Sequence, residues 1–222
     1  MFLYLYSTRK YELFMGLRLG DIAPDFEAKS TLGPIRFHEY LGDSWGILFS
    51  HPRDFTPVCT TELGAAAKLK PEFDKRDVRM LALSVDPITD HFSWVKDIEE
   101  TQHCQVNYPL LADPDRNIAT LYDMIHPEIS TTDTVRSVFV IAPDKRIQLT
   151  VTYPATTGRN FNEILRVIDS LQLTSRKQVA TPANWNPGDE VIVALSVKDD
   201  DLETMFPQGT REVKPYLRYT NV

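Results

Sequence analysis

Apolar residues fall along this chain in short blocks set apart by turn-forming residues, and the spacing inside each block predicts an element. WGILFS, Trp45 to Ser50, is continuously apolar and β-prone, and reads as a buried strand. TELGAAAKLKPEF, which begins at Thr61, is a helix-forming run. VRMLALSVD, residues 78–86, is apolar throughout and reads as a central strand covered on both faces. ITDHFSWVKDIEET, residues 88–101, places Ile88, Phe92, Val95 and Ile98 near helical spacing. YPLLAD, 108–113, is a short strand. VRSVFVIAP, 135–143, and RIQLTVTYP, 146–154, are strands joined at Asp144-Lys145, which predicts a hairpin. TTGRNFNEILRVIDSLQLT then supplies a helix with Ile164, Leu165, Ile168 and Leu171 as its buried stripe.

The order β, α, β, α, β, β, α is that of a thioredoxin-like α/β fold. Pro24, Gly33, Pro34 and Gly42 divide residues 20–44 into short extended pieces ahead of it. From about Thr181 the texture changes, with Pro182, Pro187 and Gly188 marking a linker. EVIVAL, DDDLETMF and PYLRYT follow as small strand and helix pieces. That segment is too short for a core of its own and should pack on the main domain or on a partner subunit. The expected division is a main domain over 16–180 and a small C-terminal extension domain over 181–222. Residues 1–15 read as an N-terminal extension or an alternative start. Their apolar stretch, Phe2 to Tyr6, is shorter than a signal-peptide core and has no cleavage site after it.

Composition narrows the class. Apolar residues make up 42% and charged residues 25%, as in ordinary globular proteins. The net charge of −7 gives no broad basic footprint for nucleic acid or an anionic membrane. No apolar run approaches the ~20 residues of a membrane span. Two cysteines, Cys59 and Cys104, suit a reduced, cytoplasmic protein, and a Cys59–Cys104 disulfide is the rival reading. The five histidines have no zinc-type spacing with those cysteines, so neither a metal nor a cofactor is expected. DPDRN, 113–117, imitates the opening of a calcium loop, but Ile118 stands where Gly is needed and Met124 where Glu is needed. It reads as a turn and helix cap.

The chemistry concentrates in FSHPRDFTPVCTTE, Phe49 to Glu62. Thr56 suits a helix N-cap and Pro57 the first helical position, which puts Cys59 in the first turn. Free N–H groups and the positive end of the helix dipole favour an anion there. A thiol so placed loses its proton more easily, and the thiolate is the reactive form.

PRDFTPVCTTE resembles the active-site segment of the peroxiredoxins: Pro, three residues, Thr, two residues, Cys. The pattern falls on Pro52, Thr56 and Cys59. With YPATTGRNFNEILRV and VATPANW, the resemblance extends over roughly 16–222 and points to the one-cysteine (peroxiredoxin 6-like) branch. It implies that Cys59 attacks a peroxide and becomes a sulfenic acid. Arg136 matches the family's catalytic arginine, Thr56 would orient the peroxide, and the Pro52 ring would exclude water. Glu62 reads either as the partner of Arg136 or as a helix-surface glutamate. Arg159 in TTGRN would add a second guanidinium, and loop His51 reads as a pocket or a structural residue. No cysteine follows Cys104, which reads as a bystander, so the resemblance implies an external thiol reductant of the glutathione type and a homodimer.

GDSWG, 42–46, matches the pattern of a hydrolase nucleophile elbow, but here the strand follows the serine instead of preceding it. It reads as a turn. Some peroxiredoxin 6-like proteins are nevertheless credited with phospholipase A2 activity, and its residues match His38, Ser44 and Asp144. The expected function is a thiol-dependent peroxidase acting on hydrogen peroxide and organic or lipid hydroperoxides. A peroxide sensor or holdase chaperone built on the same cysteine is the alternative.

Overall fold

The computed structural model describes residues 16–222, so the expected extension at 1–15 lies outside the described residues. Strand β3, Trp45–Ser50, forms as the apolar run predicts, and every residue of it is buried. It lies inside a seven-stranded sheet of order β2-β1-β5-β4-β3-β6-β7. Its neighbours are β4, Val78–Ser84, parallel to it, and β6, Arg136–Ile141, antiparallel. Beyond β4 come β5, Leu110–Ala112, then the edge hairpin of β1, Glu27–Ser30, and β2, Gly33–Arg36. The expected hairpin at Asp144-Lys145 is present: β6 turns through Lys145, at φ 68°, into β7, Ile147–Tyr153.

Alternation along the central strands divides the core into two layers. Ile47, Phe49, Met80, Ala82, Val138 and Val140 face α2, Pro57–Lys75, α3, Ile88–Gln102, and α5, Phe161–Arg176. Leu48, Leu81, Leu83, Phe139 and Ile141 face the opposite layer, with α1, Phe37–Leu41, and α4, Asn117–Leu121. The Asp113 carboxylate accepts the Ile118 and Ala119 N–H groups, which confirms the turn and helix cap read at DPDRN.

Helix α3 departs from its expected stripe. Its buried residues are His91, Trp94 and Ile98, while Phe92 is 51% exposed. The indole of Trp94 has a hydrogen-bond partner on α2, so the helix turns its larger aromatic inward.

A second, four-stranded sheet has the order β10-β11-β9-β8. It contains β8, Val179–Ala180, β9, Val191–Val193, β10, Thr210–Lys214, and β11, Leu217–Thr220. Between β9 and β10 lies the short helix α6, Leu202–Met205. Val179, Trp185, Val191, Val193, Val197 and Phe206 form its small core, which packs against Leu173 of α5. The C-terminal pieces therefore rest on the main body. Among the described residues, no helix is long and apolar enough to cross a membrane.

Candidate active site

The site is assembled where β3 ends and α2 begins. Thr56 is the N-cap residue, with extended backbone, and Pro57 opens the helix. Phe55 just before them adopts φ 55°, a left-handed turn that brings the loop round into α2. Cys59 falls in the first helical turn and has no exposed surface. The Thr56 hydroxyl does not cap the helix, contrary to expectation. It donates to the Arg53 carbonyl at 2.9 Å, because the turn brings that carbonyl within reach. Pro52, earlier in the same loop, is buried.

From the sheet side, Arg136 at the start of β6 donates from Nη1 to Cys59 Sγ at 3.3 Å. The same nitrogen donates to Glu62 Oε2 at 2.5 Å, and Nε and Nη2 donate to the Ala155 carbonyl. Glu62 lies one turn after Cys59 and is 3% exposed, so it is not a helix-surface glutamate. Arg159 completes the network. Its backbone N–H and Nε donate to Glu62 Oε1 at 2.6 and 2.8 Å, and its Nη2 donates to Oε2 at 2.8 Å. Arg159 Nη1 donates to the Ser50 and Ser137 carbonyls, tying the network to β3 and β6. Its guanidinium lies 5.2 Å from the Phe49 ring and 5.7 Å from the Phe161 ring. Burial raises the Glu62 carboxyl, but the Arg159 hydrogen bonds and charge, with Arg136, outweigh it and hold the group below its usual range.

Arg159, Glu62 and Arg136 thus form one buried unit around the sulfur. His51 is buried as well, but its Nε2 turns to Asp54 Oδ1 at 2.8 Å. Asp54 in turn meets His91, a pair that the sequence reading did not find. Asp54 is three residues from His51, a spacing that was visible. His91 was hidden by the choice of Phe92 for the buried face of α3.

The lipase candidates are each engaged elsewhere. His38 Nε2 is 2.7 Å from the Ala23 carbonyl, and Ser44 Oγ donates to Asp77 Oδ1 at 2.7 Å. Asp144 accepts the Arg146 N–H and pairs with its guanidinium at the surface. Both cysteines are free. Cys104 is half-buried beyond the end of α3, and burial pushes its thiol up.

A buried thiol at a helix start, under a guanidinium and on a mixed α/β sheet, is the layout of a thioredoxin-fold thiol enzyme. Comparison with known proteins specifies the class. The AhpC/TSA family profile matches residues 19–150, and that of the C-terminal domain of 1-Cys peroxiredoxin matches 170–209. The chain is 57% identical over 204 residues to a 1-Cys peroxiredoxin of Dictyostelium discoideum, covering 92% of this chain and 85% of that one. It is 54% identical over 219 residues to human peroxiredoxin-6, covering 92% and 97%. Among solved structures, a cysteine-to-serine mutant of peroxiredoxin 6 from Arenicola marina superposes with a TM-score of 0.88 at 50% identity, covering 93% and 98%. A yeast mitochondrial 1-Cys peroxiredoxin, described with a thiol-resolving mechanism via glutathione/thioredoxin systems, gives 0.88 at 52%, covering 93% and 100%. The chain belongs to the peroxiredoxin family, in its one-cysteine branch, and is a thiol peroxidase.

Proposed function

We propose that Cys59 is the peroxide-reactive sulfur and that this enzyme reduces hydrogen peroxide and organic or lipid hydroperoxides in a one-cysteine cycle. The observation that carries the reading is the 3.3 Å hydrogen bond from Arg136 Nη1 to Cys59 Sγ at the start of α2. A buried guanidinium at that distance favours the anionic sulfur and the charge that develops on the peroxide oxygens. The Cys59 thiolate attacks the terminal peroxide oxygen. The S–O bond forms as the O–O bond breaks, and the departing oxygen takes a proton to leave as water or alcohol. Cys59 is then a sulfenic acid.

Within this scheme Thr56 orients the peroxide and Pro52 shields the sulfur from water. Glu62 and Arg159 hold Arg136 at its angle. An external thiol displaces hydroxide from the sulfenic sulfur as water, giving a mixed disulfide. A second thiol releases Cys59 and leaves with the first as a disulfide. A glutathione-type reductant is supported by the yeast relative described with glutathione/thioredoxin systems. We place the reaction in a main domain over 16–180, with 181–222 as an appended unit at a homodimer contact, in the cytoplasm.

The test is intact-mass analysis after one equivalent of hydrogen peroxide with a sulfenic-acid trap, followed by peptide mapping. A single adduct at Cys59 is expected. Cys59→Ser should abolish turnover, and thiol-dependent peroxidase activity surviving in that variant would overturn the reading.

A further inference from the structure

A second buried charge cluster adjoins the Cys59 site and takes no part in the scheme above. Asp54 lies in the loop between β3 and α2 and is 4% exposed. Its two carboxylate oxygens face two imidazoles with no exposed surface. Oδ1 is 2.8 Å from His51 Nε2, and Oδ2 is 2.5 Å from His91 Nδ1. The remaining nitrogen of His91 is 3.1 Å from the Leu111 carbonyl.

Counting donors and acceptors fixes the protons. A carbonyl and an ionised carboxylate only accept, so His91 donates from both nitrogens and is an imidazolium. His51 donates from Nε2, and its buried Nδ1 has no partner among the described residues. A proton on Nδ1 would create an N–H without an acceptor and a second buried cation on one shared anion. His51 is therefore neutral, with a bare lone pair on Nδ1. The other charge facing both rings is Asp86 beyond β4, which accepts the Asp54 N–H and the Ser84 hydroxyl and also acts on Arg53. The β6 and pre-α5 guanidiniums, Arg136 and Arg159, are taken by Glu62. The titration tendencies agree with the count. Burial lowers His91, but Asp54 outweighs it and leaves His91 raised. For His51 burial wins over Asp54 and lowers it. Burial raises Asp54, yet its two imidazole bonds bring it to about 2.

The cluster reaches the reacting sulfur through short links. The Ser50 carbonyl, just before His51, accepts Arg159 Nη1, and the His51 carbonyl accepts the Thr134 hydroxyl. The His51 ring lies 5.1 Å from Trp94, whose indole N–H donates to Thr60, next to Cys59.

We infer that His91 is a positioning residue for the peroxidase reaction: through Asp54 it fixes His51 as a neutral imidazole with a bare Nδ1 and pins the loop carrying Pro52 and Thr56 against α3. The inference rests on Cys59 being the reacting sulfur. When His91 loses its proton at high pH, the Asp54 bond loses its charge assistance and one of the two His91 bonds, to Asp54 or to the Leu111 carbonyl, loses its donor, so the tie weakens.

Two measurements test this on the full chain. The first is two-dimensional nitrogen NMR of the histidine-labelled wild-type protein at pH 7, which reports the protonation of each ring directly. The expected pattern is His91 protonated on both nitrogens and His51 on Nε2 alone. A neutral His91 or a proton on His51 Nδ1 overturns the assignment, and no variant is needed to see it. The second is the single-turnover rate of Cys59 oxidation by hydrogen peroxide, from pH 6 to 9, in wild-type and His91→Gln. The variant should react about tenfold more slowly at pH 7 and lose the alkaline decline that His91 imposes on the wild type. An unchanged rate and pH profile in the variant overturns the positioning role. Trapping of no sulfenic acid at Cys59 in the wild type would instead overturn the Cys59 reading on which that role depends, while the NMR pattern is read independently of it.

Discussion

Glu62→Gln removes one charge and almost no volume, which makes it a sharp probe of the site. Glu62 accepts four hydrogen bonds, three from Arg159 and one from Arg136, and no other carboxylate pairs with either guanidinium among the described residues. In the variant the amide oxygen can keep the two Arg159 bonds made by Oε1. Its NH2 group then faces Arg136 Nη1 and Arg159 Nη2, donor against donor. Both guanidiniums are buried, Arg136 at 2% and Arg159 at 7% exposure, so water does not replace the lost partner. Breaking a buried pair on one side costs about 3–5 kcal/mol. For a chain of this size each kcal/mol shifts the melting temperature by about 2–4 °C, so a fall of roughly 6–20 °C is expected.

The effect on reactivity has two opposed parts. Loss of the carboxylate leaves more positive charge near Cys59 Sγ, which favours the anionic sulfur. It also frees Arg136 to leave the geometry that directs Nη1 at that sulfur. The orientational loss should dominate, because among the described residues the guanidinium is then held by the Ala155 carbonyl and the Cys59 sulfur, with no carboxylate to fix it. Thermal denaturation by circular dichroism and single-turnover peroxide oxidation read the two effects separately. A melting temperature within 2 °C of wild type, together with a rate within about twofold, would refute the claim that Glu62 anchors the pair.

Ser44→Ala should cost about 1 kcal/mol, the worth of the Ser44–Asp77 hydrogen bond joining the turns before β3 and β4, and leave peroxide turnover unchanged. Chemical denaturation and a steady-state assay check both parts. The pH dependence of stability isolates His91: its folded value lies above 6.5, so its contribution is complete below pH 6.5 and disappears as pH rises through the folded value. Between pH 6 and 9 the melting temperature of wild type should therefore fall more than that of His91→Gln; parallel curves would refute it. Cys104→Ser should leave both the Cys59 adduct and turnover intact, and a Cys59–Cys104 disulfide found by mass mapping of oxidised wild type would contradict this.

The helix start at Cys59 was legible because Thr-Pro after an apolar strand is a local signal, and both residues take the backbone positions it implies. What the Thr56 hydroxyl does was not legible, since it depends on a left-handed turn at Phe55 that a non-glycine residue rarely announces. The central strands could be read from their unbroken apolar runs, whereas β10, TREVK, is exposed at all five positions and carries no alternation to read. Helices α1 and α4 have five residues each, too few for a 3.6-residue period to show. The role of Glu62 was left open because helical spacing gives its angle to Cys59 and nothing about the sheet opposite. Only the fold brings Arg136 and Arg159, distant in sequence, to the same carboxylate.

The site also has a built-in asymmetry. Cys59 has no exposed surface, yet it must meet a small peroxide and then a bulkier thiol. The sheet side cannot give way cheaply, since moving it would break the buried Glu62 pairs. The helix side can. The first turn of α2 has no side-chain cap and no acidic residue to meet its free N–H groups, and Pro57 contributes none. Unwinding that turn breaks the Thr60 N–H and hydroxyl bonds to the Thr56 carbonyl, the Thr61 bond to the Val58 carbonyl, and the Trp94 bond to Thr60. At about 1 kcal/mol each these four bonds alone set a floor of about 4 kcal/mol, to which the turn's other helical bonds and the Arg136–Cys59 bond add. With that floor, fewer than about one molecule in a thousand would have the turn open at any moment, so access of a bulky thiol to Cys59 should be slower than that of a small peroxide.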